Sequence, residues 1–355
     1  MRILVDIMHP AHVHFFRNAV SAWKKKGHEV LVTSRKKEIT LELLDKYGID
    51  NICLSVQQSG LAGLFRELII RDSALYMAAR EFRPDVLTGI AGVSIAHVGA
   101  LIGRPSVVFY DTETAVLSNA ITYPLASVVC TPDCYMGDIG KKHVRYAGYH
   151  ELAYLHPAWF TPDRRALSEA GIEDGRFFIL RFVSWKASHD LKQKGVPPEA
   201  KRELVNTLKG HGRVFISSEG DLPREFEQYK MPVSWDRMHD LMAFADMVIG
   251  EGATVASEAA MLGTPALYIS KPGKGLGYTN ELEKKYGLIY NFSAEECGHA
   301  LEKVRGLLSR PGLKKEWEDK RDKMLKEKID VTNFIAGFVE TYPSNPAAAR
   351  RLAAA

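Results

Sequence analysis

The sequence predicts an α/β protein of two domains, each a parallel sheet with helices on both faces. Three observations carry this expectation. Short β-rich runs alternate with longer helical ones, the pattern of βαβ units. The alternation breaks at residues 149–163 (YHELAYLHPAWFTPD), a stretch rich in aromatics, His and Pro that reads as a linker, and then resumes. The length of 355 residues is too great for one ordinary core and about right for two domains.

In the first half, residues 2–7 read as a strand, 15–26 as a helix ended by Gly27, and 29–34 as the next strand. A helix at 39–47 stops at Gly48 and precedes a short strand at 52–54. A long helix at 61–82 leads to a strand at 85–88, a helix at 94–102 and a strand at 105–110. The second half reads as strand 177–182, helix 199–208, strand 213–217, helix 239–243, strand 247–249, helix 254–262 and strand 265–269. Later helices fall at 281–286 and 294–308. The expected domains are 1–150 and 165–330, both Rossmann-like, with a further amphipathic helix at 331–345 (from VTNFIAGFVETY) that follows the charged stretch 314–328. The closing NPAAARRLAAA reads as a low-complexity, frayed end.

Hydrophobic residues make up 46% and charged residues 25%, the composition of a soluble globular protein. The formal net charge of +4 is too small to argue for nucleic acid, and it suits an anionic ligand or a membrane surface. No apolar run reaches the roughly 18–20 residues of a membrane span. MRILVDIMHP enters a strand at once and does not read as a signal peptide. Cys53, Cys130, Cys134 and Cys297 form no CxxC pair, which fits a reduced cytoplasmic protein and argues against zinc.

The first strand is followed by His9-Pro10-Ala11-His12 rather than by G-x-G-x-x-G, which weakens a nicotinamide-dinucleotide reading, and there is no Walker A motif. The glycine-rich 273–277 reads as a mobile loop. The stretch from Gly250 to Leu267, GEGATVASEAAMLGTPAL, carries more chemistry. A buried strand ends at Gly250. Gly252 and Ala253 let a ligand approach the backbone, and Thr254 opens a helix whose free N–H groups can take a diphosphate without a metal. Glu258, about one turn inside, can accept hydrogen bonds from two vicinal ribose hydroxyls. In an open α/β sheet such ligands lie beyond the carboxyl ends of the strands. The plain alternative is a capped helix with a solvent-facing glutamate.

Met238-His239-Asp240-Leu241-Met242, Ala245-Asp246 and residues 250–265 together resemble the donor-binding half of GT-B glycosyltransferases, with the closest likeness to the MurG type. The resemblance implies two Rossmann-like domains facing each other across a cleft, the GT-B fold, with the helix at 331–345 crossing back onto the first domain. It assigns the ribose to Glu258, the diphosphate to Gly250, Gly252, Ala253 and Thr254, and the uracil flank to the segment from Met238. Thr279-Asn280 resembles the helix start that reaches the donor sugar. In the loop after the first strand of the second half, Ser184, Lys186 and Ser188 are the implied donors to the phosphates. Ser188-His189-Asp190 and the Asp111–Asn119 stretch also resemble the non-hydrolysing UDP-N-acetylglucosamine 2-epimerases, which share the fold. The fuller pattern, HPAHVHFFRN, YDTETAVLSNAITYPLA and DVTNFI, resembles domain-of-unknown-function family three-five-four.

On the N-terminal half, Asp111 and Glu113 are candidate catalytic carboxylates, with a helix cap as the plain alternative for Asp111. His9 or His12 is a candidate general base near an acceptor hydroxyl, with helix capping or packing as the alternative. His14 and Asn119 are assigned to the acceptor side. Three histidines in HPAHVH would not aim at one point from a helix, so no metal is expected. Residues 61–70 (LAGLFRELII), with Arg66 and Arg71, read first as a buried helix face, with a lipid-touching apolar lip as the alternative. The functional expectation is inverting, metal-independent, cofactor-free glycosyl transfer from a nucleotide-diphosphate sugar, UDP-linked by the resemblance, to a glycan or lipid-linked acceptor in polysaccharide or glycolipid synthesis. The rivals are a 2-epimerase and a non-catalytic sugar-nucleotide-binding protein. A cytoplasmic location with peripheral membrane contact and no nucleic-acid partner completes the expectation.

Overall fold

The computed structural model describes residues 1–182, 195–218, 221–270 and 275–353. The chain divides into two compact units, Met1–Trp159 with Lys328–Ala355, and Phe160–Glu327.

Unit 1 is built on seven strands, β1 (Arg2–Ile7), β2 (Glu29–Lys36), β3 (Ile52–Val56), β4 (Val86–Ile90), β5 (Ser106–Phe109), β6 (Val128–Pro132) and β7 (His143–Tyr146). All pair in parallel, in the order β3-β2-β1-β4-β5-β6-β7. The order reverses direction between β1 and β4, the switch point beyond which open α/β sheets hold ligands. β1, β4, β5 and β6 are nearly continuous apolar runs because helices cover both faces of the sheet. The turn out of β4 is tight: Gly92 takes a φ of +60°, and a Cβ there would sit 2.6 Å from Val108 Cγ2.

The first helix runs Pro10–Lys25, five residues earlier than the sequence suggests, so the three histidines of HPAHVH fall at its capped start and first turns. Its Trp23, fully buried, donates from Nε1 to the carbonyl of Ala336 at 3.3 Å on the Val331–Thr341 helix. The segment expected to be a linker is instead packed: Tyr149, Leu152, Ala153, Tyr154 and Leu155 are all buried. Enough apolar area is present in YHELAYL to fold it into the core of unit 1. The expected frayed tail forms a helix, Pro346–Leu352, capped by Asn345, whose side chain accepts the Ala348 N–H at 2.9 Å.

Unit 2 has five parallel strands, β8 (Phe177–Phe182), β9 (Arg213–Ser218), β10 (Met247–Gly250), β11 (Ala266–Ser270) and β12 (Ile289–Ser293), in the order β12-β11-β10-β8-β9. Trp317 on the charged Leu313–Glu327 helix is fully buried and donates to the Leu288 carbonyl at 2.6 Å.

Candidate functional site

In unit 1 three segments at the carboxyl edge of the sheet bring titratable groups together. The first is the start of the Pro10–Lys25 helix. His9 is its N-cap residue, and its Nδ1 accepts the Ala11 N–H at 3.2 Å. One turn on, Nδ1 of His12 reaches back to accept the Met8 N–H at 3.3 Å. Two imidazoles thus do what a Ser and a Glu do in a capping box, satisfying helix-start donors from both sides. Their ring centroids are 5.9 Å apart.

The second segment follows β5. Asp111 Oδ1 accepts from Thr112 Oγ1 at 2.9 Å. Its Oδ2 lies 3.2 Å from Nδ1 of His150. His150 comes from the third segment, just beyond β7, and is 7% exposed. Its ring packs on Phe15 with centroids 4.6 Å apart, and its Nε2 is buried with no hydrogen-bond partner among the described residues.

These groups set one another's protonation. Burial pushes His12 well below the usual imidazole range, His9 and His150 push it the same way, and Asp111 only partly opposes them. Burial alone would raise Asp111. The charge and hydrogen bond of His150, with Thr112 and His12, outweigh it and hold the carboxyl below its ordinary value.

Glu113 stands apart from this cluster: its Oε1 accepts the Met136 N–H at 3.0 Å. Beside it Tyr123 and Tyr135 share a 3.0 Å hydroxyl contact. Burial, with Asp111, Tyr135 and Glu113 nearby, pushes the Tyr110 hydroxyl upward. Asn119 lies on the Val116–Thr122 helix, half-buried. His14 does not join His9 and His12. It is buried against Tyr154, centroids 5.2 Å apart, with Tyr47 OH 3.4 Å from its Nδ1. Two residues from His12 and five from His9 on a helix is far enough round to face the core.

A second buried polar group underlies the same edge. Asp6, near the end of β1, accepts from Thr33 Oγ1 at 2.7 Å and from Arg71. Arg71 also donates to the Ser34 carbonyl and to Ser55 Oγ, both at 3.1 Å. Ser55 donates to Glu67 at 2.9 Å, and Arg35 grips Glu67 through two bonds of 2.6 and 2.7 Å. Burial tends to raise Glu67, and the bonds from Arg35, Gln58 and Ser55 outweigh it. Glu67, Arg71, Leu75 and Ala79 form the inward row of the Gly60–Phe82 helix. Leu61 and Phe65 lie off that row and are 80% and 66% exposed, which overturns the expectation of a buried 61–70 face.

In unit 2 the site is built on β10 and the Ala253–Met261 helix. The N-cap is Gly252, and among the described residues no side chain caps the helix. Ala253 and Thr254 occupy its first turn, half-buried. Gly250 has a packing reason: a Cβ there would sit 2.3 Å from the Arg181 carbonyl of the neighbouring strand. Gly252 has room for a side chain, with nothing closer than 3.6 Å. The Arg181 stem passes this loop, its guanidinium donates to Ser217 Oγ at 3.0 Å, and the group lies 5.7 Å from the Trp235 ring. Sequence reading gave Arg181 no role, although a cation at the end of β8 is a signal it contains.

Glu258 is buried and not solvent-facing. Its Oε1 lies 2.9 Å from Nε2 of His239, on the Met238–Phe244 helix. Met238 opens that helix, half-buried. Thr279 is buried and its hydroxyl donates to the Leu276 carbonyl at 3.0 Å, the local bond of a helix start. Asn280 follows it on the Gly277–Lys284 helix. Ser184, Lys186 and Ser188 lie outside the described residues, as do Gly273 and Lys274 of the 273–277 loop.

The family described as "Protein of unknown function (DUF354)" matches residues 1–328, and the chain belongs to it. An uncharacterized protein of Methanocaldococcus jannaschii is 23% identical over 343 residues, 94% of this chain and 98% of that one. Among solved structures, the UDP-GlcNAc 2-epimerase of Neisseria meningitidis bound to UDP-GlcNAc aligns with a TM-score of 0.64 at 12% identity, covering 94% of this chain and 98% of that chain. MurG of Acinetobacter baumannii aligns with a TM-score of 0.60 at 15% identity, covering 96% and 99%. At such identities the likeness fixes the fold: two Rossmann-like parallel-sheet units of the GT-B class, shared by glycosyltransferases and epimerases.

Proposed function

We infer that this member of the family is a glycosyltransferase that binds a UDP-linked sugar on unit 2 and passes the sugar, with inversion and without a metal, to an acceptor hydroxyl. The observation that carries this reading is the start of the Ala253–Met261 helix. Among the described residues no side chain caps its first N–H groups, Arg181 stands beside them, and Glu258 lies about one turn inside. Uncapped N–H groups and a guanidinium suit a diphosphate. Glu258, steadied by His239, suits a ribose hydroxyl. Trp235, 39% exposed and near Arg181, offers an apolar face for a base. The UDP-GlcNAc named for the Neisseria relative and the kinship with MurG support the donor class.

Unit 1 supplies the groups for the acceptor. Asp111 is held ionised and His12 neutral near pH 7, a pairing suited to moving one proton. Among the described residues no helix is long and apolar enough to cross a membrane. The exposed Leu61, Leu64 and Phe65 with Arg66 favour an amphiphilic, lipid-linked acceptor reached by peripheral membrane contact, hence polysaccharide or glycolipid synthesis at a membrane's cytoplasmic face.

The test is a thermal-shift panel of UDP, GDP, TDP, CMP and NAD on the wild type and on Glu258→Ala. A ligand at 100 times its dissociation constant adds about 2.7 kcal/mol. A UDP shift lost in the variant is the expected result, and no shift with any nucleotide removes the reading. The 2-epimerase reading draws on the Neisseria likeness and on two carboxylates, Asp111 and Glu113, close in sequence. It predicts turnover of UDP-N-acetylglucosamine without any acceptor, visible as a second sugar isomer by proton NMR.

A further inference from the structure

We propose that Asp111, not a histidine, is the proton acceptor of the unit 1 site, that His150 positions it, and that His12 acts as a hydrogen-bond donor through Nε2. The proposal rests on the glycosyl-transfer reading for its substrate, and its geometry stands without it.

The first step is tautomeric. Neutral imidazole carries one proton, on one nitrogen. Nδ1 of His9 accepts the Ala11 N–H, and Nδ1 of His12 accepts the Met8 N–H. In both rings the proton therefore sits on Nε2. A ring whose accepting nitrogen is spent on the backbone cannot take a proton through that nitrogen without breaking the helix cap. What it presents elsewhere is an N–H. His12 is thus suited to hold an oxygen that carries or gains negative charge.

The second step concerns the carboxylate. Asp111 Oδ2 contacts His150 Nδ1 at 3.2 Å, and Oδ1 accepts from Thr112. The Asp111 side chain keeps about a fifth of its surface exposed, 19%, whereas His150 keeps 8%. The exposed member of the pair is the carboxylate. His150 is locked by Phe15, and its Nε2 is closed off from water, so it touches no substrate and acts through Asp111. The order is the reverse of a dyad in which a carboxylate orients a reacting imidazole. Here an imidazole orients a reacting carboxylate.

In the transfer, the acceptor O–H proton passes to Asp111 as the oxygen's electron pair forms the bond to the anomeric carbon. The bond from that carbon to the diphosphate oxygen breaks, and its pair leaves with the nucleoside diphosphate. Asp111 then releases the proton to solvent. A carboxylate held low is a weak base, so it takes the proton late, when bond formation has made the hydroxyl acidic. The charged and titratable groups around this carboxylate are His12 of the first helix, Tyr110 of its own segment, Tyr135, Tyr146 of β7, and His150.

The experiment uses the full chain with ¹⁵N-histidine and ¹³C-aspartate labels and no nucleotide, so its outcome does not depend on the donor reading. Long-range ¹H–¹⁵N spectra at neutral pH are expected to show Nε2–H for His9 and His12, assigned with His9→Gln and His12→Gln. An Nδ1–H form for His12 overturns the donor role. Carboxyl titration of Asp111 is then followed in His150→Asn, which keeps a donor at the Nδ1 position, and in His150→Phe, which keeps only the packing on Phe15. Asp111 is expected to titrate higher in His150→Phe and to return towards the wild type in His150→Asn. An Asp111 titration unmoved by His150→Phe in a protein of unchanged melting temperature overturns the positioning role. Should His150→Phe not fold, His150→Leu, which likewise removes the donor, takes its place against His150→Asn, and an Asp111 titration alike in the two overturns the positioning role.

Discussion

Nε2 of His239 lies 2.9 Å from Oε1 of Glu258, and both side chains are buried in unit 2, so a change at either removes a buried polar contact from the other. Glu258→Ala takes this contact from a buried imidazole and should cost about 2 kcal/mol in urea unfolding. Glu258→Gln keeps an oxygen for His239 and should cost less, while removing the charge offered to a ribose hydroxyl. The two variants separate packing from binding: the glutamine protein is expected to keep most of its stability and to lose most of its UDP thermal shift. A full UDP shift in Glu258→Gln would remove the ribose role.

Arg71 and Asp6 pose the same problem more severely, because both are almost wholly buried. Arg71→Met should cost about 3–5 kcal/mol by leaving Asp6 an unpaired charge under β1. Adding Asp6→Leu to Arg71→Met should recover part of that loss, since no charge then stays behind. A double-mutant cycle by chemical denaturation measures the coupling, and simple additivity would mean that the pair is solvated in solution.

The contrast between these pairs shows what the sequence made legible. The parallel sheet of each half follows from alternating β and helical runs, and the start of the Ala253–Met261 helix was visible as glycines, a threonine and a glutamate between two apolar runs. Three strands, β6, β7 and β12, went unread. With β7 unread, YHELAYL had no strand to follow and passed for a linker, and His150 vanished into it. His239 was in view only as a neighbour of the base, because its partner lies nineteen positions away and no periodicity links them. The exposed face of the 61–82 region was misjudged for a physical reason. Its inward row contains Glu67 and Arg71, which composition would place outside, and its outward row contains Leu61 and Phe65. Only the pairing of the charges reverses the ordinary rule.

Acid should weaken unit 1 through His12. Its folded-state pKa lies well below the ordinary value of about 6.5 expected when unfolded. Between those values the unfolded chain holds more protons, so stability is full above about pH 6.5 and falls as pH drops towards the folded value. Asp111, held low, adds a loss of the same sign at lower pH, as pH falls from about 3.9 through its depressed folded value. Urea midpoints from pH 8 down to pH 5 should therefore decline in the wild type and decline less in His12→Gln. Parallel curves would show that His12 titrates normally.

The last expectation concerns the Gly60–Phe82 helix. Leu61, Leu64 and Phe65 expose apolar area at its start, next to the exposed Arg66. The pairing of Arg35 with Glu67 and of Arg71 with Asp6 holds the inward row, so these outward side chains are not what keeps the helix in place. Their removal should leave the melting temperature nearly unchanged. Transfer of one such side chain out of water is worth about 1.5 kcal/mol or more, roughly tenfold in partitioning. Leu61→Glu and Phe65→Glu are thus each expected to lower sedimentation with phosphatidylglycerol–phosphatidylcholine vesicles by about tenfold, with added loss from repulsion between the new carboxylate and an anionic surface. Salt should weaken wild-type binding only in part, since the apolar contribution is insensitive to screening. If wild-type protein stays in the supernatant at low salt, or if both glutamate variants sediment like the wild type, the helix start is not a lipid contact, and an acceptor without a lipid tail becomes the better reading of unit 1.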